Sequence, residues 1–378
     1  MLEKPSLLQM SDKLKVLLVA GARPNFMKIA PIYRESLKYA NLVCKLVHTG
    51  QHYDYEMSQT FFEDLEIPKP SFFLDAGSGS HGVQTAKIMI AFERLCEEEK
   101  PDLVIVVGDV NSTLACSIVA KKLLIKVAHI EAGLRSFDLT MPEEINRMVT
   151  DSISDYFFVT EESAIVNLLG EGKPRKRIYF VGNVMIDNLF HQLGQLAQCD
   201  ARNFSTYDLK NNSNGYIFLT LHRPSNVDSQ ETFNEIAIAL NCIAAEKPIF
   251  FPVHPRTKKI LKESENKLSK NIIILPPLGF REALFLWKDA SLIMTDSGGL
   301  QEEATAMGLP CVTLRENTER PITIDMGTNV LGGTKTHSIL KAYREGSANK
   351  EKEYSVPPRW DGRTSERIWK ILMEEFGQ

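Results

Sequence analysis

What most constrains this chain is the alternation of short apolar runs with stretches of helical period, repeated almost from end to end. Such a pattern builds a parallel sheet with crossover helices. The runs come in two series. The first reads KVLLVAG (15–21), LVCKLVH (42–48), DLVIVVG (102–108), KVAHI (126–130), DYFFV (155–159) and RIYFVG (177–182). The second reads GYIFLTL (215–221), KPIFFPV (247–253), NIIILP (271–276), LIMTD (292–296) and PCVTL (310–314). Between them lies the polar CDARNFSTYDLKNNSNG (199–215), read as a linker or surface loop. A length of 378 residues is too great for one ordinary core. The expectation is an α/β protein of two doubly wound domains, 1–184 and 185–361, facing a cleft. The closing DGRTSERIWKILMEEFG has helical period and either ends the second domain or crosses back to brace the first; the division adopted gives 362–378 to the first.

Composition narrows the function. A 43% hydrophobic and 24% charged chain is that of a soluble globular protein, and no apolar run is long enough to cross a bilayer. Membrane insertion is not expected. The net charge of -4 and pI near 6.1 supply no basic field, which argues against nucleic acid as a partner. Cysteines 44, 96, 116, 199, 242 and 311 are scattered without a CxxC pair, so they read as reduced core residues and no metal site is expected. Neither GxGxxG after a strand nor a Walker motif is present, so the NAD and ATP fingerprints are missing. The opening MLEKPSLLQMSDKLK lacks the layout of a secretion signal, and a cytoplasmic location is expected.

In open parallel sheets, ligands sit outside the carboxyl ends of the strands, so functional residues should follow each run. The run LIMT leads into Asp296, Ser297, Gly298 and Gly299 and then a helical segment. Two glycines at a helix start let backbone N–H groups approach an anion, and the helix dipole favours negative charge there. The alternative is a tight turn capped by Asp296 or Ser297. Glu302 and Glu303 are expected in the first helical turn, one able to accept ribose hydroxyls and the other free to face solvent. In the preceding LPPLGFREALFLW, Phe280 either helps hold a base or packs at a helix start. Phosphate and ribose recognition together suggest a nucleotide sugar.

The first series carries its own candidates. GARPNFMK places the cations Arg23 and Lys28 after the first run, and GDVNST places Asp109 where it serves as a site acid or an N-cap. HIEAGLRSFDLTMPEEINR sets Glu131 just past a run, with Glu143 and Glu144 after Pro142 at a helix start. In the second series, His222 with Arg223 and His254 with Arg256 end neighbouring runs, a placement that favours anion contact.

Taken in order, GARPNFMK, GDVNST, HIEAGLRS, PEEINR, LHRPSN, VHPR, DSGGLQEEA and RENTERP resemble the non-hydrolysing UDP-N-acetylglucosamine 2-epimerases from Lys15 to the last helix. The resemblance implies two Rossmann-like domains in the glycosyltransferase type B arrangement, a homodimer, a UDP-sugar in the interdomain cleft and no added cofactor. It implies interconversion of UDP-N-acetylglucosamine and UDP-N-acetylmannosamine by elimination of UDP to 2-acetamidoglucal and re-addition. Such a path needs carboxylates near C2 and support for the departing diphosphate. By the same resemblance Asp109, Glu131 and Glu143 form the acid/base group, and His222 supports the leaving group. Arg23, Ser297, Gly298 and Glu303 contact UDP, and Lys28 and Arg320 are further polar residues of the site.

Several bacterial relatives bind a second substrate molecule through a stretch that here reads GQHYDYEM. Gln51 and His52 remain, with Tyr53 and Asp54 in place of a cation and an amide; His254 is a second-layer candidate. GARPNFMK, HTGQHYDYEMSQTFFEDLEIPKP and GSHG look like the branch acting on UDP-2,3-diacetamido-2,3-dideoxyglucuronate, while LRENTERPIT is nearer the ordinary branch. A hydrolysing epimerase and a UDP-sugar glycosyltransferase are the other readings.

Overall fold

The computed structural model describes residues 13–50, 62–63, 65–263, 268–348 and 354–377. Gln51 and His52 lie outside them. The chain divides into two compact units, Met1–Val184 with Arg363–Gln378, and Met185–Gly362.

In the first unit, strands β1 (Leu14–Ala20), β2 (Leu42–His48), β3 (Phe72–Phe73), β4 (Leu103–Val107), β5 (Lys126–Ile130), β6 (Tyr156–Val159) and β7 (Ile178–Phe180) form one sheet. Their order is β3-β2-β1-β4-β5-β6-β7 and all pairs are parallel. The near-continuous apolar sequence of β4, LVIVV, follows from burial on both faces by the crossover helices, and all five residues are buried. In the second unit, β8 (Ile217–Thr220), β9 (Ile249–Pro252), β10 (Ile272–Leu275), β11 (Leu292–Thr295), β12 (Cys311–Thr313) and β13 (Asn329–Leu331) form a second parallel sheet, ordered β10-β9-β8-β11-β12-β13. Each sheet starts at an inner strand, winds outward one way and then resumes on that strand's other side. Both therefore have the Rossmann order, with a switch point between β1 and β4 in one and β8 and β11 in the other.

The last helix, Thr364–Glu375, belongs to the first unit and packs on the helix Arg23–Ser36. Trp369 is fully buried and its indole N–H donates to the Ile32 carbonyl at 2.8 Å. The Tyr179 hydroxyl donates to Glu375 at 2.6 Å and pins the far end of the helix.

Three expectations change. Residues 199–215 are not a free linker: the chain forms a short helix at Tyr207–Asn211, and Phe204, Tyr207 and Leu209 pack on the second unit's core. Cys96, Cys116 and Cys311 are buried and Cys44 partly so, but Cys199 and Cys242 are exposed. The two-residue β3 and three-residue β13 are too short to have shown as apolar runs. Among the described residues no helix is long and apolar enough to cross a membrane.

Candidate functional site

In the first unit, the residues that follow β1, β4 and β5 gather at the switch point. Lys28, on the first helix, reaches the carboxylate of Glu131 at 2.6 Å, and both side chains are almost wholly buried. Glu131 itself has a left-handed φ of 66°. A non-glycine residue in that region is strained, and such strain concentrates at functional sites. Gly108 lies beside the pair, where a Cβ would touch Lys28 Nζ at 3.4 Å and Glu131 Oε2 at 3.7 Å, and its φ of +70° is one that favours glycine. Asn25 holds the base of the same corner, donating to the Val107 carbonyl at 3.1 Å and accepting from the Ala22 N–H at 3.1 Å. Arg23 is the first residue of that helix.

Asp109 does not cap the helix Asn111–Lys122, whose N-cap is Val110. Its carboxylate instead takes a hydrogen bond from Arg147, while Asn146 donates to the Asp109 carbonyl at 2.9 Å. Both partners come from the helix Pro142–Ile153, which is inside out. Its buried residues are Glu144, Asn146, Arg147, Thr150 and Asp151, while Ile145 and Met148 are exposed. Each inward group has a task. Glu144 accepts from the Ser136 and Phe137 N–H groups at 2.9 and 3.1 Å, and Asp151 meets His129 Nδ1 at 2.7 Å. Burial alone would raise Asp151, but the His129 and Arg135 charges beside it hold its carboxyl below the ordinary value. Glu143, by contrast, is exposed on the first turn. The structure thus joins Lys28 to Glu131 and sets Asp109 on the adjoining loop, while Glu143 stands exposed at the start of the next helix.

In the second unit the organising residue is Asp296, directly after β11 and wholly buried. It accepts from the N–H groups of His222 and Arg223 at 2.9 and 2.8 Å, from Asn226 Nδ2 at 3.2 Å, and stands 2.9 Å from His222 Nδ1. Burial pushes this carboxyl up, and those donors, led by His222, bring it below the ordinary value. The result is a fixed imidazole, its side chain 39% exposed and its Nδ1 taken, with the ring 6.0 Å from that of His254. His254 is exposed, and its Nδ1 accepts from the Arg256 N–H at 3.2 Å. Arg256, expected to meet an anion, pairs with Asp228.

Ser297 occupies the N-cap position of the helix Gly298–Ala306 without a side-chain capping bond. The first-turn N–H groups at Gly298 and Gly299 therefore take no cap from that side chain, at the kind of helix start that can receive an anion. Glu302 and Glu303 lie in the second turn rather than the first, and both are buried. Glu302 pairs with Arg320 at 2.6 Å. Glu303 is pushed up to about 8 by burial and by the charge of Glu302, so at neutral pH it carries a proton and can donate as well as accept. Arg315 forks onto Glu319 at 3.0 and 2.8 Å. Burial would raise Glu319, but Arg315, Arg223 and Arg320 hold it down at about 2. Phe280 opens the helix Phe280–Trp287 and packs, partly buried, against the unit's core, the helix-start alternative for its ring.

The sequence reading passed over Asp151, His129, Arg147 and Glu319, and treated Asp296 only as a possible cap. The signal for Asp296 was its place directly after an apolar run, the same signal that pointed to Asp109 and Glu131.

A family model described as UDP-N-acetylglucosamine 2-epimerase matches residues 35–373. The UDP-N-acetylglucosamine 2-epimerase of Methanocaldococcus jannaschii is 44% identical over 365 residues, 95% of this chain and 99% of the relative. The UDP-2,3-diacetamido-2,3-dideoxy-D-glucuronate 2-epimerase of Pseudomonas aeruginosa is 42% identical over 334 residues, 88% of this chain and 92% of the relative. The crystal structure of the M. jannaschii UDP-GlcNAc 2-epimerase in complex with UDP-GlcNAc and UDP matches with a TM-score of 0.84 at 43% identity, covering 96% of this chain and 100% of that one. The chain belongs to the UDP-N-acetylglucosamine 2-epimerase family.

Proposed function

We propose that this chain is a non-hydrolysing UDP-N-acetylglucosamine 2-epimerase that interconverts UDP-N-acetylglucosamine and UDP-N-acetylmannosamine. The observation that supports it most is the buried Lys28–Glu131 pair beside Asp109 at the first sheet's switch point, in a chain 44% identical to an epimerase of that name. The hydrogen on C2 of the sugar has no neighbouring carbonyl to acidify it, so a carboxylate must remove it as the C1–O bond breaks. The electron pair of the C2–H bond becomes the C1=C2 bond, and UDP departs with the pair of the C1–O bond. Return of UDP oxygen to C1, with a proton delivered to C2 on the opposite face, gives the epimer. Asp109, Glu131 and Glu143 are the proposed proton carriers, with Lys28 setting the charge around Glu131.

The second unit has the complementary work. Gly298 and Gly299 N–H groups and His222 Nε2 receive the diphosphate, Ser297 and Arg320 frame it, and Glu303 meets the ribose. Arg23 is proposed as a further UDP contact. A homodimer is part of the proposal, supported by the outward apolar face of the helix Pro142–Ile153, and so is a cytoplasmic location.

A proton NMR time course in deuterium oxide with UDP-N-acetylglucosamine tests the reading. C2-deuterated UDP-N-acetylmannosamine is expected. Free N-acetylmannosamine plus UDP would replace it with a hydrolysing enzyme. The Pseudomonas relative favours a second substrate, the diacetamido uronate, through the same chemistry. Turnover of that sugar alone by a UDP-binding protein would establish it.

A further inference from the structure

The proton carriers proposed above do not account for His129 and Asp151, which are wholly buried behind them. His129 Nε2 lies 2.8 Å from the Gly108 carbonyl, and Nδ1 lies 2.7 Å from Asp151 Oδ1. A carbonyl can only accept, so Nε2 donates to it. The other Asp151 oxygen accepts the Gly133 N–H at 3.0 Å and stands 2.7 Å from Arg135, which also pairs with Glu171. Gly108 immediately precedes Asp109, and Gly133 lies two residues past Glu131. One imidazole and one carboxylate thus fasten both loops that carry the acidic residues.

Those loops need fastening. Gly108, Glu131 and Gly133 have φ values of 70°, 66° and 78°; the glycines adopt theirs freely, but Glu131 keeps its left-handed conformation only where its surroundings impose it. At Gly133 the neighbouring chain packs so closely that no side chain fits, since a Cβ there would lie 2.5 Å from the Ala164 carbonyl. Stability alone gives little reason for the pair, because a buried ionic pair is commonly matched by well-packed apolar residues of the same volume. Its partners give the reason: they are main-chain groups on either side of the reacting carboxylates.

We propose that His129 and Asp151 are positioning residues, holding Asp109 and Glu131 in register for proton transfer through the Gly108 carbonyl and the Gly133 N–H. The inference rests on the epimerase reading above. His129→Leu keeps bulk but donates nothing. Its kcat should fall roughly 10- to 100-fold, the loss expected from a small misplacement of reacting groups. UDP affinity by calorimetry and KM should stay near wild type, because the proposed UDP contacts, those of the second unit and Arg23, lie outside the two fastened loops. His129→Gln restores an N–H toward Gly108 and should recover much of the loss. A purely structural histidine would lower Tm in both variants and leave kcat per folded molecule alone.

Wild-type kcat in folded His129→Leu overturns the proposal. If that variant does not fold, Asp151→Asn takes its place and wild-type turnover there overturns it equally. Amide hydrogen exchange reads the lock without turnover: residues 108–110 and 131–134 should lose protection in whichever variant folds, and unchanged protection counts against it. A wild-type protein inactive on both UDP-sugars would sink the functional reading, while the exchange result would still judge the lock.

Discussion

Each unit ties a histidine to a buried aspartate, and the two pairs differ in what the second ring nitrogen meets. In the first unit, His129 turns Nε2 to the Gly108 carbonyl and is sealed from water. In the second, Asp296 holds Nδ1 of His222, whose side chain remains 39% exposed. The same pair is a rivet in one place and a presented donor in the other. The difference assigns chemistry to carboxylates in the first unit and binding to N–H and imidazole groups in the second. That division can be broken by experiment.

Glu131→Gln should cost the most. It keeps the shape of the side chain but cannot take a proton, so kcat should fall by about 10²–10⁴ while UDP affinity by calorimetry holds. Near-normal turnover would remove Glu131 from the chemistry and the first unit from its assigned role. His222→Ala follows. Loss of one donor to a developing negative charge typically costs on the order of 10² in kcat, and Tm should fall only modestly because Asp296 keeps its main-chain and Asn226 donors. A large Tm drop with unchanged turnover would make His222 a second rivet.

Glu303→Gln sharpens the picture through pH. The carboxyl titrates near 8 in the folded protein against an ordinary 4.5, so the native state holds its proton more tightly than the unfolded chain. Wild-type stability should therefore decline as pH rises from 4.5 toward 8. The Gln variant escapes that decline. Its advantage over wild type should be nil in acid and reach roughly 2–5 kcal/mol above pH 8, read from denaturant curves at several pH values. A constant difference across pH would refute the burial argument. Calorimetry with UDP tests the ribose role separately, and an unchanged dissociation constant would end it. Least affected should be Arg256→Ala, whose partner Asp228 is as exposed as itself. UDP affinity and Tm should both stay near wild type, and a marked loss of affinity would return Arg256 to the anion site.

The strands were legible because a parallel sheet buried on both faces writes each strand as an apolar run. The loops after them were legible because ligands sit at strand ends. Orientation within helices was not. The two glutamates after DSGG were expected one turn early, and burial of both depends on neighbours such as Arg320 that no local pattern reveals. Asp151 was hidden for a stronger reason. In PEEINRMVTDSI the apolar residues Ile145 and Met148 mark the face that ordinarily turns inward, yet here they are exposed and the polar residues lie inside. Periodicity reports which residues share a face; it does not say which way the face turns.

That inverted helix has a mechanical consequence. Arg147 and Asp151 stand one turn apart on it, one gripping Asp109 and the other gripping His129 and Gly133. An α-helix behaves as a stiff rod over such a length. Any load carried by Ile145 and Met148 on its outer side must reach both grips in step, so the two acidic loops shift in concert or hold still together.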